Sequence, residues 1–110
     1  MKHEIFIHKN ETYSISIGGN KCENSDLITA SSSDDVWFHL AGLPSCHVVV
    51  KTTGRLPHQV IKRCAYLCKI NTNSAKSIPK CEVVYTSIAN VTTTDIPGAV
   101  ITQNTKSVFV

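Results

Sequence analysis

What this chain has little of narrows its reading first. Its 110 residues contain no apolar run near the ~20 that carry a helix across a bilayer. The opening Met-Lys-His-Glu-Ile-Phe alternates polar with apolar like a strand and presents no apolar leader. The protein is therefore expected to be soluble, intracellular and cytoplasmic, with no membrane partner. No repeat, heptad run or low-complexity stretch interrupts it, so residues 1–110 read as one domain. No CxxC occurs, and the five cysteines, Cys22, Cys46, Cys64, Cys68 and Cys81, cannot all pair within the chain. Cys64 and Cys68 stand one helical turn apart on an apolar face, where a reduced thiol acts as a small hydrophobe. All five thiols are expected to be free, and no metal or cofactor is expected. Also absent are G-x-S-x-G, a phosphate-cradling glycine loop and HExxH, which removes the common hydrolytic and nucleotide-hydrolysing signatures.

Acid is missing from the middle of the chain. The net charge of +3 hides three lysines against six acids in residues 1–35, then seven cations and no acid from residue 36 to residue 81. Lys51, Arg55, Lys62, Arg63, Lys69, Lys76 and Lys80 thus have no ion-pair partner nearby in sequence. A field of one sign attracts polyanions. The competing explanation is a solvated helix face balanced in space by the acids of the first third.

The richest segment runs from Asp35 to Val50 and holds the only tryptophan with two of the five histidines. Strand alternation sends Val36, Phe38 and Leu40 to one side and Trp37 with His39 to the other. A hairpin would bring His47 and Lys51 to the Trp37 side, making an aromatic, basic face suited to stacking a base and holding a phosphate. Equally, Trp37 can be core and both histidines satisfied by local hydrogen bonds. Asp35, His39, Cys46 and His47 suggest a thiol–imidazole pair, but adjacent strand residues point apart, and no enzyme is expected.

The remaining elements follow from periodicity and punctuation. A hairpin is expected around Lys9-Asn10-Glu11-Thr12, between strands at about residues 4–8 and 13–17. Asn20 and Glu23 mark a capping box opening a short helix at about 21–29. Pro57 opens the main helix, about 57–70, with Val60, Ile61, Cys64, Leu67 and Cys68 inward and Lys62, Tyr66 and Lys69 outward. Further strands fall at about 36–40, 47–52, 82–86, 99–102 and 107–110. The polar connection from Ser87 to Ile96 reads as mobile. The fold class is α+β, a mixed and largely antiparallel sheet with one main helix on a face.

In order, Gly18-Gly19-Asn20, Asn24-Ser25-Asp26-Leu27, Asp35-Val36-Trp37-Phe38-His39, Pro44-Ser45-Cys46-His47-Val48, Val83-Val84-Tyr85-Thr86 and Pro97-Gly98 resemble the NFACT-R domain. That is the RNA-binding domain of the NFACT proteins of ribosome-associated quality control; the pattern is most similar to its small stand-alone eukaryotic relatives. The resemblance implies a module without chemistry of its own that contacts tRNA or ribosomal RNA, with the large ribosomal subunit an open candidate. Its motif positions are Asn24, Asp26, Asp35, Phe38, Pro44, Tyr85 and Gly98, together with Trp37, His39 and His47. Asp26 and Asp35 would repel phosphate and are expected to cap turns or hold backbone N–H groups. The nucleic-acid contacts expected are Trp37, His39, His47, Lys51, Arg55, Lys62, Arg63, Tyr66 and Lys69. Two departures stand out: the family's Pro-Gly-Ser-His is here Pro44-Ser45-Cys46-His47, and its basic residues after the Val-Tyr-Thr strand are Thr92-Thr93-Thr94. The alternative is a protein-interaction adaptor using the basic helix face, and oligomeric state is open.

Overall fold

The computed structural model describes every residue from Met1 to Val110. Strands β1 (Lys2–His8) and β2 (Glu11–Gly18) form the first hairpin. Its turn is Lys9-Asn10 alone, both at positive φ (49° and 65°), as the twist of a two-residue hairpin requires. Helix α1 (Lys21–Ala30) follows, then β3 (Val36–Leu40), β4 (His47–Val50), helix α2 (His58–Ile70) and β5 (Glu82–Ser87). A single 3-10 turn, Ile88–Asn90, leads to β6 (Val91–Thr93), β7 (Val100–Thr102) and β8 (Lys106–Phe109).

Six strands form one sheet in the order β1-β2-β4-β3-β5-β8, and β6 pairs with β7 in a small second sheet. Every pairing is antiparallel, so the α+β fold with a largely antiparallel sheet holds and no parallel pair joins it. The reason is topological. The α2 crossover joins β4 to β5, two strands running the same way, but β3 lies between them and pairs antiparallel with both.

The sheet is covered on both sides. Beneath α2, Ile15, Phe38, Leu40, Val48 and Val50 meet Val60, Cys64, Leu67 and Cys68 in the larger core. The helix phase read from sequence is therefore correct for these apolar positions. On the other side α1 and the small sheet cover Trp37 and Val49 with Leu27, Ile28 and Ile88. The connection expected to be mobile is consequently structured: Ile88 is buried and Val91 packs against this second core. Burial of two apolar side chains outweighs the polar composition around them. At the start of α1 Asn20 Oδ1 accepts from the Glu23 N–H at 2.9 Å, and Glu23 Oε1 accepts from the Gly19 N–H at 2.8 Å. The capping box thus closes one residue earlier than its usual form, on Gly19.

Candidate nucleic-acid interface

Alternation does bring Trp37, His39 and His47 to one face, yet that face is not free. Trp37 is 2% exposed and His47 1%. The Trp37 Nε1–H donates to Nδ1 of His47 at 3.2 Å, so that nitrogen is an acceptor and the imidazole is neutral. His39 stacks on the indole with ring centroids 5.5 Å apart and meets His47 edge-on at 5.1 Å. Burial pushes His47 down to about 4, with the charge of nearby His39 adding to the shift and the Gly98 backbone opposing it. His39 is lowered in the same direction by burial, against its Nδ1 contact with the Leu40 carbonyl at 2.6 Å. These three rings are a packed polar knot. Stacking Trp37 or His47 on a base would require α1 to leave, so the expectation of an open aromatic face is corrected.

The other motif residues build the cover over that knot. Asn24, buried in α1, accepts the His47 backbone N–H at 3.1 Å through Oδ1. Gly18 makes this possible, since a Cβ there would stand 2.3 Å from the same oxygen. Gly98, at φ +80°, donates its N–H to Ser25 Oγ at 2.9 Å and lays the β6–β7 turn against the start of α1. Asp35 is buried and accepts the Ser32 N–H at 3.0 Å and the Thr52 N–H at 3.3 Å, the backbone-holding role expected of it. Asp26 differs: it is exposed on α1 and no backbone amide reaches it. Phe38 lies fully buried and stacks on Tyr85 at 5.4 Å. Pro44 sits exposed in the β3–β4 loop, where Ser45 Oγ accepts the Leu40 N–H at 3.1 Å and closes the turn without the family's glycine.

The basic residues divide. Lys62 and Tyr66 are exposed on the outer face of α2, with the Arg63 guanidinium 5.9 Å from the Tyr66 ring centre. Arg63 also holds Glu4 through two contacts of 2.7 Å, so one acid of the first third does balance the basic window. Lys69 is only 9% exposed and its Nζ reaches the Pro79 carbonyl at 3.4 Å. Its helical phase matches Lys62, but the segment after α2 folds back over it, and the expected outward position is corrected. Lys51 is exposed at the far end of β4, in a depression shared with Glu11, Asp34 and Asp35, and does not join His47. Arg55 is exposed in the loop before α2. Two residues outside the expected set, His58 and the cation Lys106, share a cleft with it. Only the β5–β8 register brings Lys106 there, and no local sequence signal reports it.

This is an α+β module whose motif residues hold a cover on a sheet and whose cations lie on the opposite helix and its loops. The chain belongs to the family of NFACT protein RNA binding domains, whose model matches residues 2–106. Similar to it are coiled-coil domain-containing protein 25 of Mus musculus, 35% identical over 85 residues (73% of this chain, 41% of the relative), and Protein JLP2 of Saccharomyces cerevisiae, 33% over 87 residues (72% and 42%). The chain thus spans about two fifths of the length of these curated relatives. The same fold is found in the C-terminal part of the fibronectin/fibrinogen-binding protein from Streptococcus suis, at a TM-score of 0.87 and 21% identity, covering 100% of this chain and 45% of that one.

Proposed function

We propose that this chain is a non-catalytic RNA-binding module of the cytoplasm that contacts tRNA or ribosomal RNA in translation or ribosome-associated quality control. The observation that carries this reading is the family match across residues 2–106. The exposed cations Arg55, Lys62, Lys76 and Lys80, none of them in an ion pair, support it as phosphate contacts. Tyr66, 46% exposed beside Lys62, takes over the stacking role that buried Trp37 leaves vacant. Absence of chemistry is supported by the way neighbouring groups are engaged apart: the Cys46 thiol donates to the Cys68 carbonyl at 3.3 Å while His47 Nδ1 is bonded to Trp37.

Anisotropy titrations of tRNA and an unstructured RNA across salt test the proposal. With about four cations on phosphates of a single-stranded segment, log K falls with log salt at a slope of about −3. Lys62→Glu with Tyr66→Ala weakens both RNAs alike. The neutralisation of Arg63 by Glu4 favours one competitor, an adaptor that meets a protein through α2. Salt-independent binding selects the adaptor, whereas a double variant that binds RNA as wild type does moves the RNA contacts off α2 and onto the loop cations.

A further inference from the structure

At one end of α2 the structure opens a cleft of about 700 Å³. One wall is the approach to α2, with Arg55 and His58. Opposite stand β5 and β8, where Tyr85 and Lys106 are direct cross-strand partners and so project to the same side of the sheet. That side is the α2 side, because Phe38, the partner of Tyr85 on β3, lies in the core beneath α2. No Asp or Glu lines the cleft. The Lys51 depression beside it has three acids, Glu11, Asp34 and Asp35, which would oppose an anion.

Three features make this a built site. First, Arg55 and Lys106 are exposed cations that take part in neither of the two ion pairs of the molecule, so their charge is uncompensated where they line the cleft, and the exposed imidazole of His58 stands beside them as a further hydrogen-bonding group. Second, Tyr85 is half-buried with one ring face covered by Phe38 at 5.4 Å and 23°. What it offers the cleft is the rest of a rigidly held ring. Third, the far wall is braced: Asn90 Nδ2 donates to Thr86 Oγ1 at 3.0 Å, and that hydroxyl is bonded to the carbonyls of Gln103 and Asn104 at 3.1 and 3.3 Å. Asn104 itself adopts φ 53°, turning the chain so that Lys106 enters β8 beside Tyr85. The volume lies within the ~300–1,000 Å³ usual for small-molecule sites, larger than a bare phosphate needs.

We infer that this cleft binds a single nucleotide, its phosphate between Arg55, His58 and Lys106 and its base against Tyr85, with Asn90 and Asn104 at the base edge. An arginine and a lysine without acid neighbours recognise phosphate through charge-assisted hydrogen bonds, and an aromatic ring with amide groups nearby suits a base of any identity. Where the nucleotide belongs to an RNA strand, the inference rests on the RNA-binding reading above and adds an anchoring position for that strand. A free nucleoside monophosphate carries the same chemistry.

Titration of the isotope-labelled chain with adenosine 5′-monophosphate, adenosine, inorganic phosphate and a short single-stranded RNA, followed by NMR, tests the inference and separates the two sources. The monophosphate should shift the side-chain amides of Asn90 and Asn104 and bind about tenfold or more tighter than adenosine or phosphate alone. Arg55→Ala with Lys106→Ala, both exposed and so compatible with folding, should lose that binding about tenfold with unchanged melting. Lys62→Glu with Tyr66→Ala should leave it unaltered. Competition by the short RNA identifies the strand as source, whereas monophosphate binding in a protein that ignores RNA keeps the cleft and removes the RNA reading. Equal binding of phosphate and monophosphate overturns the inference. So does RNA binding that depends on Lys62 yet never shifts Asn90 or Asn104, and there the RNA reading survives.

Discussion

The two faces of the six-stranded sheet are buried by different physics. Under α2 the contact is aliphatic and aromatic, with Phe38, Val48, Val50, Val60, Cys64 and Cys68 wholly inaccessible. Under α1 the apolar cluster is small, and beside it lie Asn24, Trp37, His39 and His47 joined through hydrogen bonds and ring contacts. Apolar packing is non-directional and tolerates many side chains. A buried polar knot works only with the right atoms in the right places, because each unpaired member costs its full desolvation. That difference accounts for where the polar motif positions fall: the Asn, Trp and His residues lie on the α1 face, while the α2 face carries the aromatic pair Phe38 and Tyr85 among interchangeable aliphatics.

The α2 face depends most on Phe38. Replacing it by alanine removes a fully buried ring, deletes its stack on Tyr85 and leaves a cavity under α2. The expected loss is about 3–5 kcal/mol by denaturant unfolding. A loss below about 1 kcal/mol, within the range of a tolerated swap, would mean the α2 face is loosely packed.

The α1 face should answer to pH where the α2 face does not. His47 is held neutral with its folded value pushed down to about 4, from an ordinary 6.5, so only well above pH 6.5 does it contribute nothing to the pH dependence. Below 6.5 the unfolded chain takes up a proton that the folded one refuses, and stability falls until the folded value is reached. The loss amounts to about 2 kcal/mol between about pH 7 and pH 5, and to about 3 kcal/mol by about pH 4. His39, shifted in the same direction, adds to it. Unfolding midpoints across that range check this, with Phe38→Ala expected to keep the wild-type pH slope. A flat profile would show that the knot accommodates an imidazolium.

How much of this could be read beforehand follows the same division. Period two placed Trp37, His39 and His47 on one side, and helical periodicity placed Val60, Cys64 and Leu67 inward; both patterns are local and both hold. What covers a face is not local. The burial of Trp37 depends on α1 and on the Gly98 turn some sixty residues later. Lys69 has the phase of an exposed residue and is covered by its own downstream chain at Pro79. The second sheet hides in a polar stretch because three apolar residues, Ile88, Val91 and Val100, are enough to seat it. Of the expected contacts, His39, Lys51, Arg55, Lys62, Arg63 and Tyr66 remain at the surface to some degree, and no pattern short of strand register joins Arg55 to Lys106.

Cys64 reports on the apolar face directly. Its thiol is wholly buried in α2, and desolvation pushes it up to about 12. Cys64→Ser puts a hydroxyl into an apolar core, where its one reachable acceptor is a carbonyl of its own helix, and should cost about 1–3 kcal/mol. In the unmodified protein Cys22, which is exposed, should react with a thiol reagent at once, while Cys64 and Cys68 wait for unfolding. Fast labelling at Cys64 with unchanged melting of the serine variant would put the wrong side of α2 against the sheet.

The smallest expected effect lies at the rim, where the acidic first third meets the basic window. Glu4 and Arg63 form a bidentate pair at 2.7 Å, with side chains 29% and 35% exposed, so solvent screens much of their attraction. The hydrogen bonds from Arg63 hold the Glu4 carboxyl below its usual value. Its contribution is therefore present at neutral pH and is lost as pH falls through the lowered value. Exposed pairs of this kind are worth about 1 kcal/mol or less, and less again in high salt. Glu4→Gln should accordingly lower the unfolding free energy by under about 1 kcal/mol at pH 7. The same change frees Arg63 beside Tyr66 and restores a cation to the outer face of α2. If that face meets RNA, the variant binds tRNA more tightly than wild type and with a steeper salt slope, by about one further phosphate contact at most. Equal affinity and slope would confine the RNA surface to the loop cations and the cleft, away from the helix.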